Sequence, residues 1–267
     1  MKALVLLSSL GVIALLAEIF SFKKLLYPIV LLGLVTAFVL NVFDWDTNHT
    51  YYKMLQYDNY AVAFTGVIIV VAFLWFIMAE GFFKEESNLT DHLALVLFAL
   101  VGAVMMVSYN NMSMLFLGIE ILSIPMYILA GSNKTDVASN ESAFKYLIMG
   151  AFATGFLLFG IALIYGATGS FDLSEIRNAV TSGTAALSIF SVGVLLMLIG
   201  IAFKVSAAPF HFWAPDVYQG APTVVTAFMS TIVKTAAFAA FLRLFSTTFM
   251  EVSGTWTSVV WAMAALT

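Results

Sequence analysis

Three charged residues stand where a membrane-embedded chain has least reason to carry them. Glu120 and Lys234 lie near the centres of long apolar windows, and Lys204 lies in an apolar stretch that runs on into Pro209 and Pro215. A carboxylate accepts a proton and an ammonium group releases one. At the centre of a bilayer each charge costs at least about 2.5 to 3.5 kcal/mol on insertion scales, so such residues face protein or water and mark ion pathways. Proton transfer is therefore the chemistry these residue types point to, with a purely structural ion pair as the alternative.

Helical spacing orients them. Ser113, Glu120, Ser123 and Tyr127 fall at i−7, i, i+3 and i+7, one polar stripe expected to face the bundle interior. Thr223, Thr226, Ser230 and Lys234 form a similar stripe, whose hydroxyls could hold water beside the ammonium. Pro125 removes a backbone donor just past the carboxylate, which either bends the helix there or is an ordinary tolerated kink. A continuous helix through Lys204 would bring it to the membrane surface. The prolines after it instead suggest a broken helix, which keeps Lys204 inside and exposes backbone groups to the site. His211 can titrate near neutral pH and is a candidate relay, or a packed residue beside Phe212 and Trp213. A Glu120–Lys204 pair at roughly 4 Å would attract by about 4 kcal/mol at an effective dielectric near 20. Lys204 would hold its proton beside the carboxylate and pass it towards Lys234 on separating from it.

The elements that must position these groups are spanning helices. Windows of about 20 apolar residues are found at Ala3 to Phe20, Leu25 to Phe43, Tyr60 to Ala79, Leu93 to Val107, Met112 to Ala130, Phe144 to Tyr165 and Pro222 to Phe245, with an eighth from near Ala186. Lys2 before an apolar core resembles the start of a secretory signal. Leu15 and Ala17 before Glu18 make a poor cleavage site, so a retained helix is expected. Connections are short apart from the aromatic stretch Asn41 to Asn59 and a loop from Ser170 to Gly183. Ala151 and Gly155 suggest close helix packing. Glu18, Glu80, Asp91 and Arg243 are expected at window ends, solvated or snorkelling. Trp45, Tyr51, Tyr52, Tyr57 and Tyr60 fit an interfacial belt. Lys23, Lys24, Lys84, Lys134 and Lys145 against Lys2, Lys53, Arg177 and Arg243 weakly favour an outside N-terminus. Thr255 to Thr267 starts a further window too short to span. The sequence is expected to be the first part of a longer polytopic chain, with a re-entrant or interfacial tail as the alternative.

Composition narrows the class. Of 267 residues, 62% are hydrophobic and 10% charged, with a mean hydropathy of +1.02, which excludes a soluble enzyme. The eleven Lys and Arg are scattered, excluding a nucleic-acid surface. With no Cys and three separated His, the chain offers no ligand set for zinc or an iron–sulfur cluster. The fold class is thus an all-α polytopic membrane protein.

Phe203-Lys204-Val205-Ser206, continuing into Pro209-Phe210-His211-Phe212-Trp213-Ala214-Pro215-Asp216-Val217-Tyr218-Gln219-Gly220-Ala221-Pro222-Thr223, closely resembles the subunit N family of the bacterial proton-pumping NADH:quinone oxidoreductase, respiratory complex I. Leu117 to Ser123, Ser142 to Tyr146 and Ile164 to Ser170 agree. The resemblance runs from about Leu93 to Leu244, and the Asp216 to Pro222 run separates this family from the related L and M subunits and Mrp-type antiporters.

The resemblance implies an antiporter-like fold of fourteen helices with two inverted five-helix repeats, each with a broken helix. About eight of those helices, including the broken seventh, are present here. It implies three N-terminal helices in 1–91, a first repeat in 92–246 and the start of a second in 247–267. Glu120, Lys204 and Lys234 then match the family's proton-transfer residues on its fifth, seventh and eighth helices. A further lysine on the twelfth lies beyond Thr267, so this stretch alone should not pump. The resemblance also implies that NADH, FMN, iron–sulfur clusters and quinone are used on other subunits and that this chain binds no cofactor. Partners would include the M subunit, small helical subunits and the lipid of the bacterial inner membrane. A stand-alone cation/proton antiporter and a structural scaffold are the rival readings.

Overall fold

A computed structural model of the chain describes residues 1–20, 22–85 and 89–267, without the side chains of residues 24 and 83–85. Lys24 and Lys84, both counted in the charge balance, fall outside the described side chains. The helices are α1 (Lys2–Ile19), α2 (Lys23–Val42), α3 (Asn59–Glu85), α4 (Leu89–Ser108), α5 (Met112–Ala130), α6 (Val137–Thr168), α7 (Leu173–Thr181), α8 (Leu187–Val205), α9 (Trp213–Gly220), α10 (Thr223–Phe228), α11 (Lys234–Arg243) and α12 (Ser253–Leu266). A small antiparallel hairpin, β1 (His49–Tyr51) and β2 (Leu55–Tyr57), joins α2 to α3. Among the described residues eight spans are long and apolar enough to cross a membrane, the last running from Thr223 to Thr248.

Side-chain size sets the packing. Four-fifths of α4 is buried (83%) against 28% of the α2 span, so α4 is the axis of the N-terminal helices and α2 lies at their rim. α4 meets α5 backbone to backbone: a Cβ on Gly102 would collide with the amide nitrogen of Leu122. α6 and α8 approach in the same way, with a Cβ on Gly160 falling 2.7 Å from the carbonyl oxygen of Gly193. The glycine on α6 that packs against α8 is therefore Gly160. The Ala151 and Gly155 pair lies on the exposed face of α6, and a Cβ on Gly155 would meet nothing within 4 Å. Small-xxx-small spacing marks a possible contact face, and here the adjacent face, with Gly150, Ala153, Leu157 and Gly160 buried, is used instead.

Two stretches expected to be simple connections or helices have more structure. The Ser170 to Gly183 loop contains α7, an amphipathic helix burying Leu173, Ile176 and Val180 and capped by the Asp172 carboxylate, which accepts from the amides of Ser174 (2.9 Å) and Glu175 (3.1 Å). The last span is not one α-helix, because π-helical turns at Met229–Val233 and Leu244–Thr248 flank α11. Each π turn carries one extra residue and rotates the downstream side chains by about 100° relative to an uninterrupted α-helix. Ser230 consequently points outward, with its hydroxyl on its own helix, while Lys234 turns inward, so the expected stripe from Thr223 to Lys234 is split.

Candidate functional site

α8 breaks just past Lys204. Ser206 adopts a left-handed conformation (φ 58°), ending the helix, and α9 begins seven residues later at Trp213. The break leaves carbonyls in the last turn of α8 needing donors. Ala202 accepts from the Ala207 amide (3.0 Å), and Phe203 accepts from the Ser206 amide (3.1 Å) and from the Trp213 indole Nε1 (3.1 Å). The carbonyl of Lys204 accepts from the Nζ of Lys234 at 2.8 Å. Lys234 thereby serves as a cap for the broken helix, and it donates also to the Ser206 hydroxyl at 2.6 Å. Its ammonium lies 4.9 Å from the centre of the Trp213 ring and 5.7 Å from that of Tyr218.

The Lys204 side chain turns the other way, to α5. It is 4% exposed and donates to Ser123 Oγ at 2.6 Å and to the Tyr127 hydroxyl at 3.4 Å. The Ser123 hydroxyl donates to the Ile119 carbonyl at 2.5 Å, leaving its lone pairs for the lysine. Tyr127 fits because Gly150 on α6 has no side chain, since a Cβ there would collide with the phenol oxygen. Glu120, one turn before Ser123, accepts from Thr154 Oγ1 of α6 at 2.9 Å. Among the described residues Glu120 and Lys204 form no direct ion pair; Ser123 and Tyr127 of the same stripe stand in the carboxylate's place.

The structure thus brings Lys204 and Lys234 together at the break and puts Glu120 a turn away on Thr154. His211 lies in the connection between α8 and α9, stacked against Phe212 with ring centres 5.0 Å apart. Its buried Nδ1 makes no hydrogen bond among the described residues. α9 is held against the start of α6 by Lys145, whose Nζ reaches Asp216 (2.5 Å) and Glu141 (2.6 Å), and by the Ser142 hydroxyl donating to the Val217 carbonyl (3.0 Å). Thr154, Ser206, Trp213 and Tyr218 were not singled out by charge at depth. Their signal lay in company: Gly150 and Thr154 are one turn apart on the face towards α5, and the other three flank the prolines.

Arg243 corrects an expectation. It is 8% exposed, neither solvated nor snorkelling, and its Nη2 meets Asp58 Oδ1 at 2.6 Å while its Nε donates to the Val107 carbonyl at 3.1 Å. The guanidinium also lies 4.9 Å from the centre of the Tyr60 ring. Position near a window end suggested water; the fold buries that end under α3 and α4. Tyr57, 1% exposed, likewise belongs to the core and not to an interfacial belt, whereas Tyr52 is 94% exposed. Beside the hairpin, Lys53 Nζ meets Glu175 of α7 at 3.0 Å. Hydrogen bonds from Ser170 and then Lys53 hold the Glu175 carboxyl below its ordinary range, and the bond to Glu175 pushes the lysine up.

Residues 109–267 match the family described as NADH:quinone oxidoreductase/Mrp antiporter, TM. NADH-quinone oxidoreductase subunit N of Cytophaga hutchinsonii is 49% identical over 269 residues, covering all of this chain and 58% of the relative. A chain of respiratory complex I from Thermus thermophilus superposes with a TM-score of 0.77 at 33% identity, over 91% of this chain and 53% of that one. A chain of the Mrp complex from Dietzia sp. DQ12-45-1b shares the fold (TM-score 0.78, 20% identity), over 93% of this chain and 50% of that one. The chain thus spans a little over half the length of the relatives it matches. With eight apolar spans among the described residues, a broken helix and this likeness, it is a multi-pass protein of the bacterial inner membrane with an antiporter-like bundle. The chain belongs to the NADH:quinone oxidoreductase/Mrp antiporter transmembrane family.

Proposed function

We propose that this chain is part of a proton-translocating membrane subunit of an NADH:quinone oxidoreductase, in which Glu120, Lys204 and Lys234 carry the proton and His211 serves as a relay. The observation that carries the reading is the arrangement of two lysines at one helix break, Lys204 buried on Ser123 and Tyr127 and Lys234 on the carbonyl of Lys204. Two ammonium groups so placed repel each other, so a proton arriving on one favours release from the other. Glu120, held by Thr154, is the acceptor on the side of α5 and α6. A rearrangement that brought it to Lys204 would replace two neutral acceptors by a charged one.

In this reading residues 1–91 form the N-terminal helices, 92–246 a five-helix antiporter-like repeat and 247–267 the start of the next. NADH oxidation and quinone reduction belong to other subunits, with FMN and iron–sulfur clusters there. The absence of cysteine from this sequence supports that division for the clusters. Partners are the other membrane subunits, including the M subunit and small helical subunits. The fold shared with an Mrp chain supports a second reading, a cation/proton antiporter that needs no redox partner.

The test uses the protein in its native membrane. Inverted vesicles carrying Lys204→Ala or Lys234→Ala are energised with NADH and their acidification is monitored with a pH-sensitive dye. Assembly is gauged by NADH oxidation with an artificial acceptor. Assembled variants with strongly reduced pumping are expected, and pumping at the wild-type rate in both would overturn the reading. Acidification driven by an imposed sodium gradient without NADH would favour the antiporter.

A further inference from the structure

Trp213 does two things at once. It is 1% exposed, its indole nitrogen caps the Phe203 carbonyl at 3.1 Å, and its ring face lies 4.9 Å from the Lys234 ammonium. The ring is also fixed in place: it stacks on Tyr146 (centres 4.7 Å apart, planes at 7°) and on Phe203 (5.1 Å, 26°), and Tyr218 meets it edge-on at 5.7 Å. Tyr146 in turn touches Tyr127 edge-on at 4.7 Å, and Tyr127 lies under the Lys204 ammonium, 5.6 Å from ring centre to Nζ. One line of rings, Tyr127–Tyr146–Trp213–Tyr218, therefore runs from one lysine to the other.

Size and burial alone would make Trp213 a packing residue. A packing residue has no reason to present its π face to a cation while its N–H holds the backbone beside that cation's own acceptor. The Phe203 and Lys204 carbonyls are consecutive, one taken by the indole and the next by the lysine. Moving the indole shifts both the ring face and the peptide from which Lys234 takes its hold.

Resting on the proton-transfer reading, we propose that Trp213 is a positioning residue for Lys234: its ring face holds the protonated side chain against the break in α8, and its N–H fixes the carbonyl beside the one to which that side chain bonds. The attraction acts only on the charged lysine, because it arises from the ring's quadrupole. Trp213 thus makes closure of the break depend on the proton carried by Lys234.

Fluorination separates this role from packing, since successive fluorines drain negative charge from the ring face while changing its shape little. The experiment places tryptophan carrying zero to four fluorines at position 213 of the full-length subunit in the assembled complex, by stop-codon suppression. NADH-driven pumping is then measured in inverted vesicles, normalised to assembled complex by NADH oxidation with an artificial acceptor. The expected result is a stepwise fall in pumping with fluorine number, reaching about tenfold, the factor equivalent to about 1.4 kcal/mol. Trp213→Phe, which keeps a ring face but loses the N–H, should fall between the native and the four-fluorine protein. Pumping that stays flat across the series, or falls only in step with loss of assembly, overturns the proposal. Lys234→Ala is measured alongside. If it pumps at the wild-type rate, the proton-transfer reading itself fails and this proposal with it; if it is defective while the fluorine series is flat, only the role of Trp213 falls.

Discussion

The Arg243–Asp58 pair ties the end of α11 to the start of α3, and its strength can be worked from its surroundings. The guanidinium side chain is 8% exposed and the carboxylate 26%, with 2.6 Å between Nη2 and Oδ1. Removing one partner of a fully buried pair costs about 3 to 5 kcal/mol, mostly through the charge left behind. The two orphans would differ here. Asp58→Asn keeps the oxygen that accepts from both the Ala61 amide (2.8 Å) and Arg243 Nη2 (2.6 Å) but removes its charge, leaving the guanidinium without a counter-ion among the neutral Asn oxygen, the Val107 carbonyl and the Tyr60 ring. Arg243→Met strands a carboxylate that water can reach. We therefore expect about 3 kcal/mol for Asp58→Asn, about 2 kcal/mol for Arg243→Met and a favourable coupling of about 2 kcal/mol in the double variant. The assay is native-state hydrogen exchange of the purified complex, read at the amides from Leu244 to Phe249, whose local opening requires release of this anchor. Losses that add to within about 0.5 kcal/mol would refute the argument, as would Arg243→Met costing more than Asp58→Asn.

Ser206→Gly should relieve the left-handed backbone at φ 58° yet remove a hydroxyl that accepts from Lys234, so thermal stability should hold or rise by up to about 1 kcal/mol while vesicle pumping falls. Gly160→Leu should disrupt the contact of α6 with α8 and lower the yield of assembled complex severalfold, as judged on native gels, whereas Gly155→Leu should assemble normally because its Cβ meets nothing. Asp44 binds the terminal amine of Met1 (2.8 Å) and Lys2 (3.1 Å). Burial works to raise its carboxyl, but these two hydrogen bonds outweigh it and leave the group below its ordinary range. Its depressed folded value means its stabilisation is complete above the ordinary value and lost as pH falls through the folded one. Exchange at the first turns of α1 should therefore stay slow until pH drops below about 4, and Asp44→Asn should abolish that dependence.

The spans were legible because lipid demands long apolar runs, and Met112 to Ala130 coincides with α5 to the residue. The polar stripe on that helix was legible in part: helical spacing put Ser123 and Tyr127 on one line, and they are the groups that receive Lys204, whereas Ser113, two turns before Glu120, is exposed. Which partner a lysine takes was not legible. Glu120 and Ser123 lie one turn apart on α5, and which of them meets Lys204 of α8 depends on tertiary packing, in which Thr154 of α6 takes the carboxylate and Tyr127 fills the space left at Gly150. The splitting of the stripe from Thr223 to Lys234 was hidden for a different reason, since it follows from the π turn at Met229–Val233, which the residue types of that turn do not announce. Arg243 was misplaced because distance along the chain from a window's centre says nothing about which helices cover its end.

The oxygen that Lys234 grips at position 204 belongs to the main chain. No replacement of the residue at 204 deletes that oxygen, so the two lysines are chemically adjacent yet genetically separable. Loss of the Lys204 side chain leaves Lys234 moored where it was and empties instead the niche between Ser123 and Tyr127. Second-site revertants of a Lys204 defect should therefore map to α5 and the facing wall of α6, and those of a Lys234 defect to Ser206 and the aromatic residues of α9.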